Sequence, residues 1–477
     1  MERVAPAAAS LSGGLAAVSR ALDEYAVEVD ALTTKHTSLA VDAGVLERAI
    51  TADADWRSDS RLVARQQQLE QAVGSLSRAF AEARERCVSA IESAETPAVH
   101  TAGQAGGPPA APGTGDGGTA GAPWDPRHLF WTSSFDSMTP TEVNAWWTSL
   151  SPAAQATYLA SQPRLVGGLD GIPAAVRDAA NRSRLDREHA RLTAERDALS
   201  YFERNVSKRT LSDELNEKID ATAAIRDALG LSSRQLLLFD VSGREALAAV
   251  AVGDVDSAKN VTVLVGGTGT NVETGLEKID GDAAALRERV TDISEHRGSD
   301  VAVVSYLGYR APSALWLAHK PYYAVDGREP LMNFLDGIST TSIHDPADLN
   351  LVLGGHSYGA LLATGAVMDD STPVDAVATY GTPGIVSGPL GEGVEKYWLA
   401  NSDDPIRGVA VSGWYTDQPN VDDGWQELHT AAHTIGDRTY WRGVDHNYLV
   451  DGTMTQYNLA ALSAGRPDLL VHYDGSY

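Results

Sequence analysis

The sequence predicts an α/β domain built on a mostly parallel sheet and preceded by helices; three observations carry that prediction. From about Gln235 onward, short and nearly continuous apolar runs alternate with helical stretches. Strands covered on both faces read this way, because crossover helices bury each side of a parallel sheet. Before that region the apolar residues fall three and four apart, the spacing of helices. A Gly/Pro/Ala tract at 101–123 separates two such helical stretches and contains no large apolar residue.

The chain has 477 residues, too many for one ordinary domain. A hydrophobic fraction of 43% supplies a sizeable core and excludes global disorder. Acidic residues outnumber basic ones 64 to 38, for a net charge of −26. Phosphates repel such a chain, which argues against nucleic acid and anionic membrane surfaces as partners. The single cysteine, Cys87, excludes an intramolecular disulfide framework and any multi-cysteine metal site. The opening residues MERVAPAAASLSGG lack the basic start and apolar core of a secretory signal, and no apolar run is long enough for a membrane span. The default expectation is a cytoplasmic protein, with signal-less export through a dedicated system as the alternative.

Residues 1–100 read as a helical hairpin module. One seam runs Leu11, Leu15, Val18, Leu22, Tyr25, Val29, Leu32; a second runs Leu62, Leu69, Val73, Leu76, Phe80, Ala83, Cys87, Ala90. Cys87 is thereby placed in the core as a small hydrophobe. The turn holds Trp56, and a short third helix is expected near 43–50. The tract 101–123 cannot bury enough area to offset its ordering entropy and reads as a tether.

Residues 124–232 read as a helical segment packing on the domain that follows. MTPTEVNAWWTSLSPAAQATYLASQP gives two short helices, each begun by a Thr or Ser cap before a proline. PRLVGGLDGIP reads as a turn. Pro173 opens a long helix with alternating charges, most simply a solvated face, and a further helix stops at Gly230.

Residues 233–477 form the expected catalytic domain. RQLLLFDVSGREALAAVAVGD reads as a hairpin turning near Ser242 and Gly243. The runs NVTVLVGG, DVAVVSYLG, LNLVLGGHS, DAVATYGTP and EKYWLANSD supply the sheet.

The chemistry is concentrated in LNLVLGGHSYGALLATGAVM, which contains Gly355-His356-Ser357-Tyr358-Gly359. A G-x-S-x-G between an apolar strand and a helix is the pattern of a nucleophile elbow. Its sharp turn exposes the serine hydroxyl beside a helix N-terminus, and glycines flank it because a Cβ there would clash. Ser357 is therefore the candidate nucleophile. A serine needs a base, and the base an orienting acid. Strand EKYWLANSD ends in Asp403 and Asp404; Asp404, before the Pro405-Ile406 turn, is the chosen acid and Asp403 the alternative. Among the later histidines, His446 lies after a candidate final strand and is the candidate base. His429 and His433 stand four apart, the spacing of metal ligands on a helix, but without the intervening glutamate or an evident third ligand. No metal and no cofactor is therefore expected. His356 is expected to support the elbow, and His472 to be exposed. Oxyanion donors are sought at Tyr358, which follows the nucleophile, and at Gly267 and Thr268 in the Gly266-Gly267-Thr268-Gly269-Thr270 loop. That loop lacks both the G-x-G-x-x-G pattern and the lysine of phosphate-binding loops.

From about residue 124 the chain resembles an actinobacterial α/β-hydrolase family of unassigned substrate, on the strings AWWTSLSPAAQATYLASQP, GGLDGIPAAVRDAANRSRL, VTVLVGGTGTN, LGYRAP, LGGHSYG, NSDDPI and DHNYL. The resemblance implies the α/β-hydrolase fold, a helical segment ahead of it, and Ser357, Asp404 and His446 as a triad. The second oxyanion loop departs from it, reading GGTGT where a Pro-Gly form is more usual. Residues 1–100 loosely resemble the helical hairpins of type VII secretion substrates; those carry Trp-x-Gly at the turn, and this chain reads Trp56-Arg57-Ser58.

The expected function is a serine hydrolase, esterase- or lipase-like, cleaving an ester, thioester or amide of a small or lipid-like acyl substrate without a cofactor. LWLAHKPYYAV and SGWYTDQPNVDDGWQEL are candidate lid or acyl-pocket walls, or core. The alternatives are a hydrolase-fold acyltransferase, and a secretion-associated interaction or effector protein that docks a partner, or a second copy of itself, through the N-terminal helices.

Overall fold

The computed structural model describes residue 135 and residues 138–199, 209–294, 297–313, 322–407 and 417–475, together with isolated positions between 28 and 86. The chain forms two compact units, Met1–Gly115 and Asp116–Tyr477. In the first, every described position is helical, and Arg86 forms an ion pair with Glu28. Trp56, Cys87 and the tract 101–123 lie outside the described residues.

The second unit opens with helices. α1 (Pro140–Ser149) carries a complete capping box: the Thr139 hydroxyl accepts from the Glu142 amide, and the Glu142 carboxylate accepts from the Thr139 amide. α2 (Pro152–Ser161) follows a Ser151 cap. PRLVGGLDGIP is not all turn: Pro163–Gly168 forms a short helix, α3. Proline at the first position is compatible with a helix start, which turn composition alone conceals. Val143, Trp147, Val166, Ile172 and Ala180 give these helices their own small core.

α4 (Ala174–Ala198) runs along the edge of the sheet. Its cap residue, Pro173, has no side-chain donor or acceptor to offer. Asp256 substitutes from another element, accepting from the Ala174 and Ala175 amides at 3.0 and 3.2 Å. The expectation of a solvated, charge-laced face fails on one side of α4, where Arg177, Asn181 and Arg184 are buried. Three of its polar side chains reach unpaired carbonyls of the first strand, β1 (Arg234–Asp240): Asn181 donates to Leu236 O, Arg182 to Arg234 O and Arg184 to Phe239 O. Asp178 accepts from the Leu236 amide at 2.7 Å. The outer edge of the sheet is thus satisfied by a helix rather than left open for pairing. α5 (Arg209–Leu229) ends before Gly230.

The sheet contains β1, β2 (Leu247–Val252), β3 (Asn260–Val265), β4 (Val301–Leu307), β5 (Asn350–His356), β6 (Ala376–Tyr380), β7 (Glu395–Leu399) and β8 (Gln426–Glu427), in the order β1-β2-β4-β3-β5-β6-β7-β8. β2 is antiparallel to both neighbours; every other pairing, from β4 across to β8, is parallel. β3, β4 and β6 are buried at every position, as their continuous apolar runs require. α6 (Val272–Ile293), α7 (Tyr322–Thr341), α8 (Gly359–Ala366) and α9 (Met454–Ser463) complete the crossovers and the last helix. A mostly parallel eight-stranded sheet in this order, with helices on both faces, is the α/β-hydrolase fold.

The topology dictates where a site belongs. The chain leaves β3 towards β4, then crosses back to place β5 on the other side of β3. That reversal opens a crevice at the carboxyl ends of β3 and β5, the position where open α/β sheets bind ligands. The loop after β3 is Gly266-Gly267-Thr268, and the residue after β5 is Ser357.

Candidate active site

Ser357 sits between β5 and α8 with φ +54°, the left-handed region that an L-residue occupies at a cost of about 1–2 kcal/mol. Its amide donates to Tyr380 O on β6 at 2.9 Å, so the strained residue is still held by the sheet. The flanking glycines are required by close approach. A Cβ on Gly355 would stand 2.6 Å from Ala360 Cα, and one on Gly359 2.5 Å from Val265 O. Gly267 is bound by the same constraint: a Cβ there would lie 2.7 Å from the Ser357 Cβ and 3.3 Å from its Oγ. Only glycine lets the β3 loop come this close, and that approach sets the main chain of Gly267 and Thr268 beside the serine. The Thr268 hydroxyl is buried and has no hydrogen-bond partner among the described residues. Tyr358 is fully buried at the N-terminus of α8.

The candidate acid and the candidate base come together on the far side of the crevice. Asp404, 4% exposed, accepts from His446 Nδ1 at 2.9 Å. The same oxygen accepts the Tyr448 hydroxyl at 2.8 Å, and the other accepts the Ile406 amide at 2.8 Å. Burial opposes the charge on Asp404, but the His446, Ile406 and Tyr448 donors outweigh it and hold the carboxyl below its ordinary range. Tyr448 is pushed the other way, by burial first and then by the Asp404 charge, so it stays protonated and donates. Its oxygen also accepts from the Asn401 amide at 2.9 Å. Asp403 points elsewhere: it is exposed, pairs with Arg442 at 2.8 Å and accepts from the Asp445 amide at 3.1 Å.

The strand directly before His446 does not belong to the main sheet. The strands before it, β9 (His433–Ile435) and β10 (Arg438–Tyr440), make a separate antiparallel pair. Short polar strands of this kind give no apolar run to distinguish them. The loop beyond is pinned from several sides. Asn401 Nδ2 donates to Asp445 O at 3.0 Å, and Asp445 has φ +50°. Gly381, after β6 and at φ +59°, is the floor under the imidazole; a Cβ there would meet His446 Cε1 at 2.8 Å and Nδ1 at 2.9 Å. Ser357 makes no hydrogen bond to His446 in this structure. Catalytic contacts are commonly long before substrate binds.

His429 and His433 are not on a helix: His429 is buried beside β8 and its amide bonds Val471 O, while His433 begins β9. His472 is exposed. Trp425, from the second aromatic string, is core. Residues 315–321 and 412–416 of the candidate lid walls lie outside the described residues. Sequence reasoning missed Tyr448, Asn401 and Gly381. Only Gly381 left a signal, the Gly-Thr-Pro turn composition after an apolar strand.

The class of molecule defined by this sheet, elbow and crevice is an α/β-hydrolase-fold protein. Comparison with known proteins agrees: a family described as alpha/beta hydrolase matches residues 242–430. An uncharacterised Mycobacterium tuberculosis protein, Rv0963c, is 34% identical over 175 residues, covering 35% of this chain and 65% of its own length. A second from the same organism, Rv2079, is 28% identical over 265 residues, covering 51% of this chain and 39% of its own. The chain thus spans less than two thirds of the length of these relatives. Among solved structures, esterase PE8 is 17% identical, covers 47% of this chain and 99% of its own, and has a TM-score of 0.28. A hyperthermophilic esterase from Pyrobaculum calidifontis is 13% identical, covers 55% and 94%, and has a TM-score of 0.31. Both scores are too low to bear on function. No described helix is long and apolar enough to cross a membrane.

Proposed function

We propose that this protein is a serine hydrolase of carboxylic esters, thioesters or amides. One observation carries the reading: the Asp404–His446 hydrogen bond lies in the same crevice as a serine on a left-handed elbow. In the proposed cycle His446 Nε2 takes the Ser357 proton as Oγ attacks the acyl carbonyl. Asp404 fixes the proton on Nδ1, so Nε2 is free to accept, and stabilises the imidazolium that forms. The oxyanion is received by the amides of Tyr358 and Thr268, with the unpartnered Thr268 hydroxyl as a further donor and Gly267 allowing the approach. His446 returns its proton to the leaving group. Water, activated by the same imidazole, then releases the acyl group.

A fluorophosphonate probe tests the class. Wild type is expected to label at Ser357, and Ser357→Ala to remain unlabelled. Asp404→Asn should slow labelling on the order of 10⁴-fold, the scale seen when a triad acid loses its charge. Asp403→Asn should slow it less than about threefold, since its bonds are to Arg442 and the Asp445 amide. Equal labelling of wild type and Ser357→Ala would sink the proposal.

A further inference from the structure

His356 was expected to brace the elbow that it precedes. Its one side-chain hydrogen bond goes instead across the crevice, from Nε2 to the main-chain oxygen of His446 at 3.1 Å. Its ring packs against the His446 imidazole with centroids 4.4 Å apart, and against Tyr380 at 5.3 Å and Tyr448 at 6.1 Å. A carbonyl only accepts, so Nε2 must carry the proton in this contact. Other bonds hold the same loop at neighbouring residues: at the Asp445 amide and carbonyl, at the Gly443 amide through Thr430 O, and at Tyr448 O through the Thr455 hydroxyl. His356 is the group that holds the main chain of His446 itself, and it does so from the residue covalently joined to Ser357. The two halves of the candidate site, on β5 and on the 441–453 loop, are tied together by this contact.

We propose that His356 is a positioning residue for the catalytic base: its Nε2–H fixes the main chain of His446 relative to Ser357, and its ring packs against the His446 imidazole. The assignment rests on the serine-hydrolase reading above. The charged and titratable groups facing His356 are His446, Asp404 and Tyr448 from the loops after β7 and β10, Tyr380 from β6, and Lys278 from α6. Burial first, then the neighbouring His446 and Lys278, push His356 down to about 3. The downward shift keeps the His356 ring neutral beside the His446 imidazole, so two adjacent imidazolium ions are disfavoured.

The test uses the full chain and a saturating series of a fluorophosphonate probe, which separates the maximal inactivation rate from probe affinity. His356→Phe keeps a flat ring and removes the donor; His356→Gln places an amide N–H where Nε2 stands. The maximal rate for His356→Phe should fall by about tenfold to a hundredfold, the penalty for a small misplacement of a catalytic group. Probe affinity should change less than about twofold, and His356→Gln should recover most of the rate. A general packing role would not be rescued by the amide. Wild-type protein that the probe does not label overturns the hydrolase reading and this assignment together. Labelled wild type with His356→Phe at the wild-type rate overturns this assignment alone, as does His356→Gln falling as far as His356→Phe. Should His356→Phe not fold, His356→Gln decides by itself: a maximal rate below about a tenth of wild type overturns the assignment.

Discussion

Gly381→Ala is the sharpest single test of the candidate site, because it adds one methyl group and touches the base from below. The added Cβ would stand 2.8 Å from His446 Cε1, 2.9 Å from Nδ1 and 2.8 Å from Tyr448 Cε2. Non-bonded heavy atoms rest at about 3.5–4.0 Å, so the imidazole must rise by roughly 0.7–1 Å. The Nδ1–Asp404 bond is 2.9 Å long, and such a shift stretches it past the range of a hydrogen bond. A displacement of that size costs on the order of 10²-fold in rate, more if the imidazole tautomer is also released. The backbone adds its own cost: alanine at φ +59° is disfavoured by about 1–2 kcal/mol. For a unit of this size that lowers the melting temperature by only a few degrees. The expected pattern is a folded protein with a melting temperature near wild type and a fluorophosphonate labelling rate at least about a hundredfold lower. Labelling within about threefold of wild type would refute the placement of His446 over Gly381.

Three further outcomes follow from other contacts. Tyr448→Phe removes the acceptor of the buried Asn401 amide and one of the donors to Asp404. Stability should drop by about 1–3 kcal/mol in urea unfolding, and the acid limb of the pH–rate profile should move upward; an unchanged limb would count against Tyr448 as a donor to the acid. Asp280→Ala strands Arg234, whose guanidinium is 8% exposed and bonds both Asp280 oxygens. A loss of about 3–5 kcal/mol is expected, and a loss below about 1 kcal/mol would show the pair to be dispensable. His356 has a folded value of about 3 against roughly 6.5 when unfolded, so only the unfolded chain takes up its proton between those values. Its contribution to stability is complete above about pH 6.5 and is lost as the pH falls towards 3, with a slope of at most about 1.4 kcal/mol per pH unit. Unfolding of His356→Gln measured at pH 7, 5 and 4 should therefore decline less steeply than wild type; parallel curves would contradict the half-buried, neutral ring.

The parts of this fold that were legible are those written in apolar periodicity. NVTVLVGG and DVAVVSYLG are nearly continuous apolar runs, and the strands they form are buried at every position because both faces of the sheet are covered. The elbow was legible because Gly355 and Gly359 answer close contacts with Ala360 and Val265. The choice of Asp404 over Asp403 rested on the Pro405-Ile406 turn alone, since adjacent residues at a strand end point in directions that the turn decides. Polar side chains on α4 misled for a similar reason. Asn181 and Arg184 are indistinguishable in sequence from solvated residues, and what buries them is an edge 55 residues further on. Tyr448 is core, and its hydroxyl finds Asp404 only through a loop whose path no periodicity encodes.

The covering of β1 by α4 also has a consequence in time. During synthesis α4 emerges before the strand it protects, and β1 and its partner β2 follow directly, all within residues 174–252. The six strands beyond must still be made and threaded into a parallel sheet, a slow, non-local process. Through that interval a half-built sheet has two edges on which a neighbouring nascent chain can pair. One of them is already closed when it forms, because Asp178, Asn181, Arg182 and Arg184 are waiting for it. The sheet is left to grow in one direction only.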